Sequence, residues 1–353
     1  MILNLTGIRG CAALWVVLFH FRNDIYEATN YLDQFKPILN RGYFGVDLFF
    51  CLSGFILGYV YLSNYLENRL SRSRIVKDFF IKRFARLYPV YLSTTVAAYL
   101  LYFLAIISGH EFHTNSSSNF SALNLAKNLF GVQAWAGSAS LNGPSWSVSV
   151  EFFAYLVFPI VVFYFLKTNE LLLRKGLILF LSSFVIYVLS HNQIIKLNPQ
   201  LMQALSEFFM GLAAYIFVRF LKPTLKTVLF LRALTTFLLI IVLYSIENSA
   251  YLGLTTPILL LILICTNYFH NVQNKGLSRV WIVQLGLWSY SLYLTHSLFQ
   301  FLLSGLKLPR YFENPLITFL EFIVIFGLVL ALAGFTTKLV ENPSRRILLK
   351  LFK

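Results

Sequence analysis

Tyr43-Phe-Gly-Val-Asp47-Leu-Phe-Phe-Cys51-Leu-Ser53-Gly-Phe-Ile-Leu-Gly-Tyr-Val-Tyr-Leu-Ser-Asn-Tyr65 holds one charged residue, Asp47, in an otherwise apolar run. About 20 such residues cross a hydrocarbon layer of roughly 30 Å as a helix. Directly after it come Arg69, Arg72, Arg74, Lys77, Lys82, Arg83 and Arg86. An apolar span handing over to a crowd of cations reads as a membrane helix whose exit faces the cytoplasm.

The rest of the chain repeats this pattern. It is 58% hydrophobic and only 12% charged, about half the charge of a soluble domain. Further apolar runs near 5–22, 87–108, 144–166, 176–191, 201–219, 227–246, 251–269, 283–305 and 313–336 predict an all-α polytopic membrane protein of about ten spanning helices. Asn192 to Pro199 reads as a re-entrant or tight turn, and the longest polar loop runs from His110 to Asn142. Cations recur in alternate loops, at Arg174 and Lys175, Lys222 and Lys226, Lys275 and Arg279, and in the tail with Arg345, Arg346, Lys350 and Lys353. Both termini are therefore expected in the cytoplasm.

This distribution explains the formal net charge of +15 by membrane orientation, and no motif of a nucleic-acid-binding fold accompanies it. Cys11, Cys51 and Cys265 lie in apolar segments without metal or disulfide spacing and read as small core residues; no metal site is expected. The run after Arg9 lacks a small-residue cleavage site and reads as a retained first span.

Ionisable residues inside spans are candidates for function by default. His20, Asp47, Glu151 and His296 stand out. At 1.5 Å per residue, His20 lies about 22 Å above Leu5 and Asp47 about 6 Å below Tyr43. Glu151 falls about 10 Å below Pro144, and His296 about 20 Å above Val283. All four are thus expected in the outer half of the bilayer. Arg9 and His20, eleven residues apart, share a helix face to within about 20°, whereas Cys11 faces the opposite way. Arg83 and Arg86 share one side of a helix at the cytoplasmic threshold, a geometry suited to a phosphate-bearing ligand. The structural alternatives are anchoring for these arginines, a buried imidazole satisfied by a backbone carbonyl for His20, and helix-to-helix polar clamps for Asp47, Glu151 and His296.

Acyl transfer to a hydroxyl fits this set. A neutral imidazole can take the hydroxyl proton during attack on a thioester, or can itself be acylated. A carboxylate, Asp47 or Glu151, would fix its tautomer and stabilise the imidazolium. A proton-coupled transporter of a small metabolite would also place Asp, Glu and His in the membrane, but no inverted repeat is visible. A structural subunit of a glycan-assembly complex would tolerate substitution at all of them.

Leu5-Thr-Gly-Ile-Arg9 through His20, Gly42 through Phe55, Phe80-Ile-Lys-Arg83-Phe-Ala-Arg86-Leu-Tyr-Pro89, Pro144-Ser-Trp146 through Glu151, Ser289 through His296, and Val340-Glu-Asn-Pro343 follow one another in order. In this the chain resembles the acyltransferase family 3 membrane proteins, which O-acetylate bacterial polysaccharides and related glycans. The resemblance implies one transmembrane acyltransferase domain over 1–353, lacking the extracytoplasmic esterase-like domain of some members, in a bacterial cytoplasmic (inner) membrane. It also implies an acyl-coenzyme A co-substrate, acetyl-CoA above all, with no tightly bound cofactor. The acceptor would be a carbohydrate or glycolipid reached from outside. His20 would be catalytic with Arg9, Asp47 and Glu151; Arg83 and Arg86 would bind the donor; Ser53, Trp146, Tyr293 and His296 would support the site. Phe152-Phe153 stand where many members carry a second acidic or amide residue, Asn342 and Ser344 replace the usual Lys and Phe, and Cys51 replaces an aliphatic.

Overall fold

Backbone inside lipid must satisfy its own hydrogen bonds, so each apolar run becomes a helix. The computed structural model describes residues 2–28, 30–67, 71–108, 120–168, 170–196, 198–245, 250–269, 276–305 and 315–352. Its long helices are α1 (Leu3–His20), α2 (Phe44–Leu66), α3 (Arg72–Ile107), α4 (Ser145–Phe165) and α5 (Leu172–His191). They continue with α6 (Pro199–Phe220), α7 (Leu225–Tyr244), α8 (Ala250–Phe269), α9 (Val280–Gly305) and α10 (Pro315–Thr336). Among the described residues eight helices are long and apolar enough to cross a membrane, the last of these spans running on from α10 as far as Leu351. The apolar part of α8, Leu254–Phe269, and the 26 residues of α9 occupy the other two expected places. The chain is an all-α, multi-pass membrane protein.

Two boundaries differ from the sequence expectation. The third span was expected to begin near 87, but α3 is 36 residues long and starts at Arg72. No Gly or Pro interrupts Arg72 to Tyr88, and Lys, Arg and Leu are good helix formers, so the turn-forming propensity needed for a loop is missing. The basic cluster from Arg72 to Arg86 therefore rides on a helix; Arg69 lies outside the described residues. Pro89 is accommodated within α3.

The second difference concerns the long polar segment, of which 109–119 lie outside the described residues. The remainder is no free loop. It forms a helix over Ala122–Leu129, whose first turn is capped by Ser121 accepting from the Asn124 amide. It then returns along α3 as far as Tyr88 and Tyr91, whose hydroxyls donate to the carbonyls of Leu129 and Asn128. Tyr88 precedes Ile107 by about 28 Å of helix, so this segment folds back along α3. Asn124, Asn128 and Gln133 are buried in it. Buried amides need partners, and here they find Ala139, Asn124, Tyr91 and Ser145. Between α5 and α6, Asn198 at φ 38° caps α6 by accepting from the Leu201 amide, as a tight turn requires.

The chain divides into two compact units, each assembled from separated segments. One comprises Met1–Ala12, Tyr43–Phe80 and Val150–Leu287; the other comprises Ala13–Gly42, Ile81–Ser149 and Trp288–Lys353. In the first, α6 packs against α2 with backbones touching. A Cβ on Gly54 would stand 1.7 Å from the Phe208 carbonyl oxygen, and one on Gly211 would stand 2.1 Å from that of Cys51. Lipid tails are as apolar as leucine, so helices in a membrane associate through such close packing.

Candidate active site

His20 and His296 meet in the second unit. His20 ends α1 and is half-buried; His296 lies in α9 and is fully buried. Their ring centroids are 4.8 Å apart with the planes tilted by 57°. Each ring is held the same way. Nδ1 of His20 lies 2.8 Å from the Val16 carbonyl, and Nδ1 of His296 lies 3.2 Å from that of Leu292. A carbonyl only accepts, so in each neutral ring the hydrogen sits on Nδ1 and the lone pair on Nε2. The Nε2 of His296 is buried with no hydrogen-bond partner among the described residues. The tautomer-fixing role expected of a carboxylate thus falls to Val16, one turn back in α1.

Around the pair, α9 presents a polar stripe at three- and four-residue spacing. Tyr293, whose ring centroid is 6.1 Å from that of His296, places its hydroxyl 2.8 Å from Ser147 Oγ and donates to the Pro144 carbonyl at 3.1 Å. Ser297 donates to Asn142 Oδ1, and Asn142 Nδ2 donates to the Leu294 carbonyl at 3.0 Å. One turn beyond His296, Gln300 donates to the His20 carbonyl at 2.7 Å. The segment before α4 and α9 are therefore stitched together around the two imidazoles. Trp146 is half-buried in the first turn of α4, beside Ser147.

Arg83 and Arg86 belong to the same unit and are half-buried on α3. The carbonyl of Leu87, the next residue, accepts from Tyr290 at 2.7 Å. Tyr290 precedes His296 by about 9 Å along α9. The arginines therefore lie on the α3 turn that leads up to the level of Tyr290.

The remaining candidates fall in the first unit. Glu151 Oε1 accepts from Ser53 Oγ at 2.8 Å and from the Tyr155 hydroxyl, which makes it a clamp between α2 and α4. Ser53 and Gly54 thus act in succession, one bonding α4 and the other admitting α6. Asp47 interacts electrostatically with Glu207 of α6, a carboxylate only 2% exposed. Arg9 is half-buried on α1. Of His20, Asp47, Glu151 and His296, expected in one layer, the structure brings the two histidines together in the second unit; Glu151 bonds Ser53 and Tyr155, and Asp47 faces the like charge of Glu207, in the first.

Sequence reasoning passed over Glu207, Asn142, Ser147 and Gln300. Glu207 carried the same signal as Asp47, an acid inside an apolar run. The others carried none, because neutral polar residues near helix ends are common and only folding shows what they touch.

A family model described as an acyltransferase domain, of the acyltransferase 3 type, matches residues 2–338. The chain belongs to this acyltransferase family. Acyltransferase MdmB of Streptomyces mycarofaciens is 33% identical over 162 residues, 44% of this chain and 38% of that protein. Peptidoglycan O-acetyltransferase OatA of Listeria monocytogenes is 27% identical over 186 residues, 49% of this chain and 26% of that protein. The chain thus matches well under half the length of either acyltransferase. No solved structure matches it.

Proposed function

We propose that this protein is a membrane O-acyltransferase, moving an acetyl or other acyl group from acyl-coenzyme A to a hydroxyl of a cell-surface carbohydrate. Membership of the acyltransferase family supports the reaction class, and the named activity of OatA supports a glycan acceptor. The observation that carries the reading is the His20 and His296 pair, in which Nδ1 of each ring is held by its own helix and the lone pair is left on Nε2.

In the proposed step the acceptor hydroxyl gives its proton to Nε2 of His20 while its oxygen attacks the thioester carbonyl carbon. The tetrahedral intermediate expels the coenzyme A thiolate, which takes the proton back from the imidazolium. An ester and a thiol result, and His20 ends neutral. Val16 keeps the ring in the reactive tautomer throughout. Arg83 and Arg86 would bind donor phosphates as forked cations. From the level of Tyr290 to His296 is about 9 Å along α9, so the donor's extended arm would reach from phosphates to thioester. The acceptor would approach from the extracytoplasmic side of a bacterial inner membrane, as the loop-charge asymmetry supports.

His20→Ala should abolish glycan acylation while the protein still accumulates in the membrane, read by the acetyl mass increment on surface glycan. Unchanged acylation would overturn the proposal.

A further inference from the structure

The motif Val340-Glu-Asn-Pro343 has no part in the step proposed above, yet the second unit buries its acid. Glu341 is 7% exposed, closes a π-helical turn (Thr337–Glu341) that follows α10, and accepts from Ser291 Oγ at 2.8 Å. Val329, Ala333, Thr337 and Glu341, each four residues from the next, are all buried. This row marks the side that α10 and its continuation turn toward the protein. Arg345 is next in the row, and there burial ends. It lies in the helix Asn342–Leu351, is exposed, and makes neither a hydrogen bond nor an ion pair among the described residues.

The same turn of α9 also holds α3. Tyr290 donates to the Leu87 carbonyl, and the next residue, Ser291, donates to Glu341. Adjacent residues point about 100° apart around a helix. With interaxial distances of about 8–10 Å, α3 and the end of α10 stand roughly 12–15 Å apart across this turn. Two contacts show that α3 and α9 run in the same direction. Tyr91, one turn beyond Leu87, donates to Gln133, whose Nε2 donates to the Ser145 carbonyl; Tyr293, three residues beyond Tyr290, donates to the adjoining Pro144 carbonyl. α10 is the next long helix and runs back. One turn from Leu87 toward the start of α3 is Arg83, and one turn from Glu341 toward Leu351 is Arg345. Both arginines therefore step away from α9's contacts in one direction. Arg83 shares its face with Leu87, Tyr91 and Thr94, all buried, so it too points inward.

We propose that Arg345 is a second phosphate site for the acyl donor, taking the 3′-phosphate of coenzyme A. The proposal rests on the acyl-coenzyme A reading given above. That donor carries a diphosphate on the 5′ side of its ribose and a single phosphate on the 3′ side, so its nucleotide presents anions in two directions. Arg83 and Arg86 take the diphosphate, and Arg345 meets the 3′-phosphate from the facing helix with a bidentate fork. Glu341, tied to Ser291, fixes the turn from which Arg345 extends. Lys350, five residues further on, points about 140° away from Arg345 and is left to membrane orientation.

The test is calorimetric binding of acetyl-CoA and of acetyl-dephospho-CoA, which lacks the 3′-phosphate, to the full chain in detergent. The natural protein should bind acetyl-CoA about tenfold more tightly, the worth of one charge-assisted contact. Arg345→Gln should weaken acetyl-CoA binding about tenfold and leave the dephospho donor unchanged, bringing the ratio close to one. Lys350→Gln should keep the natural ratio. Equal affinities in the natural protein would overturn the inference. So would a ratio that survives Arg345→Gln, or one that collapses equally in Lys350→Gln, and in each case the donor reading would stand. Binding of neither donor would remove that reading and this inference together.

Discussion

The side chain of Gln300 donates to the carbonyl of His20 across 280 positions of sequence, at 2.7 Å. The last carbonyls of a helix lack partners within it. In α1, Val17 is served by the Phe21 amide, Phe19 by the Arg22 guanidinium at 2.7 Å, and His20 by Gln300. The catalytic candidate is therefore anchored through its own backbone to the helix that carries His296. Only four residues separate His296 from Gln300, so both contacts come from one face of α9.

Gln300→Leu should consequently act on positioning. Loss of one hydrogen bond is worth about 1 kcal/mol of stability, a fall of a few degrees in Tm. Loosening the end of α1 should lower kcat for glycan acylation about tenfold, with the donor KM unchanged, since Gln300 is given no part in donor binding. Gln300→Glu keeps the length but not the donor and should behave like the leucine variant. A raised donor KM at constant kcat would show that the contact does not serve the histidine.

His296 invites a comparison of shapes. When His20 holds the acceptor's proton on Nε2, a neutral His296 has a lone pair on its own Nε2 to meet it. Glutamine can present an oxygen near that position, whereas phenylalanine fills the volume and offers nothing. His296→Gln should therefore retain at least about tenfold more kcat than His296→Phe, a difference of one charge-assisted hydrogen bond. Equal losses in the two variants, at equal membrane abundance, would reduce His296 to packing.

Much of this was legible from the residues, for reasons that differ by feature. The multi-pass helical architecture follows from hydropathy alone, and the histidines announce themselves as titratable groups in apolar segments. The pairing of His20 with His296 rather than with a carboxylate was not legible. It depends on which helix faces which, and hydropathy carries no information on rotation about a helix axis. The start of α3 at Arg72 was missed because a basic amphipathic stretch and a cytoplasmic loop have similar composition. The packing of 120–142 against α3 was not legible because Asn124, Asn128 and Gln133 look like loop residues until their partners are known. Glu207 was an oversight of another kind, since its signal lay in plain view within Pro199–Phe220.

The contact of Tyr293 with Ser147 lends itself to a double-mutant cycle. Tyr293→Phe removes the donor to Pro144 and the partner of Ser147, and Ser147→Ala removes one end of the same bond. Each should destabilise by about 1 kcal/mol. The double variant should fall short of the sum by 0.5 kcal/mol or more, on the scale of coupling between touching residues. Strict additivity in thermal unfolding would mean that this bond does not tie α4 to α9.

Gly211 and Gly327 separate packing from propensity. Both lie in long helices, but a Cβ on Gly211 would stand 2.1 Å from the Cys51 carbonyl oxygen, whereas one on Gly327 would meet nothing within 4 Å. Backbone cannot yield as a side-chain tip can, so Gly211→Ala must push α6 from α2. Overpacking of this kind is destabilising by about 1–3 kcal/mol. It should also disturb the neighbouring Asp47 and Glu207 carboxylates. Gly327→Ala gains helix propensity, up to about 1 kcal/mol, with no opposing clash. Thermal stability in detergent should drop for the first variant and hold or rise for the second. An unaltered Gly211→Ala protein would show that α2 and α6 do not meet through their backbones.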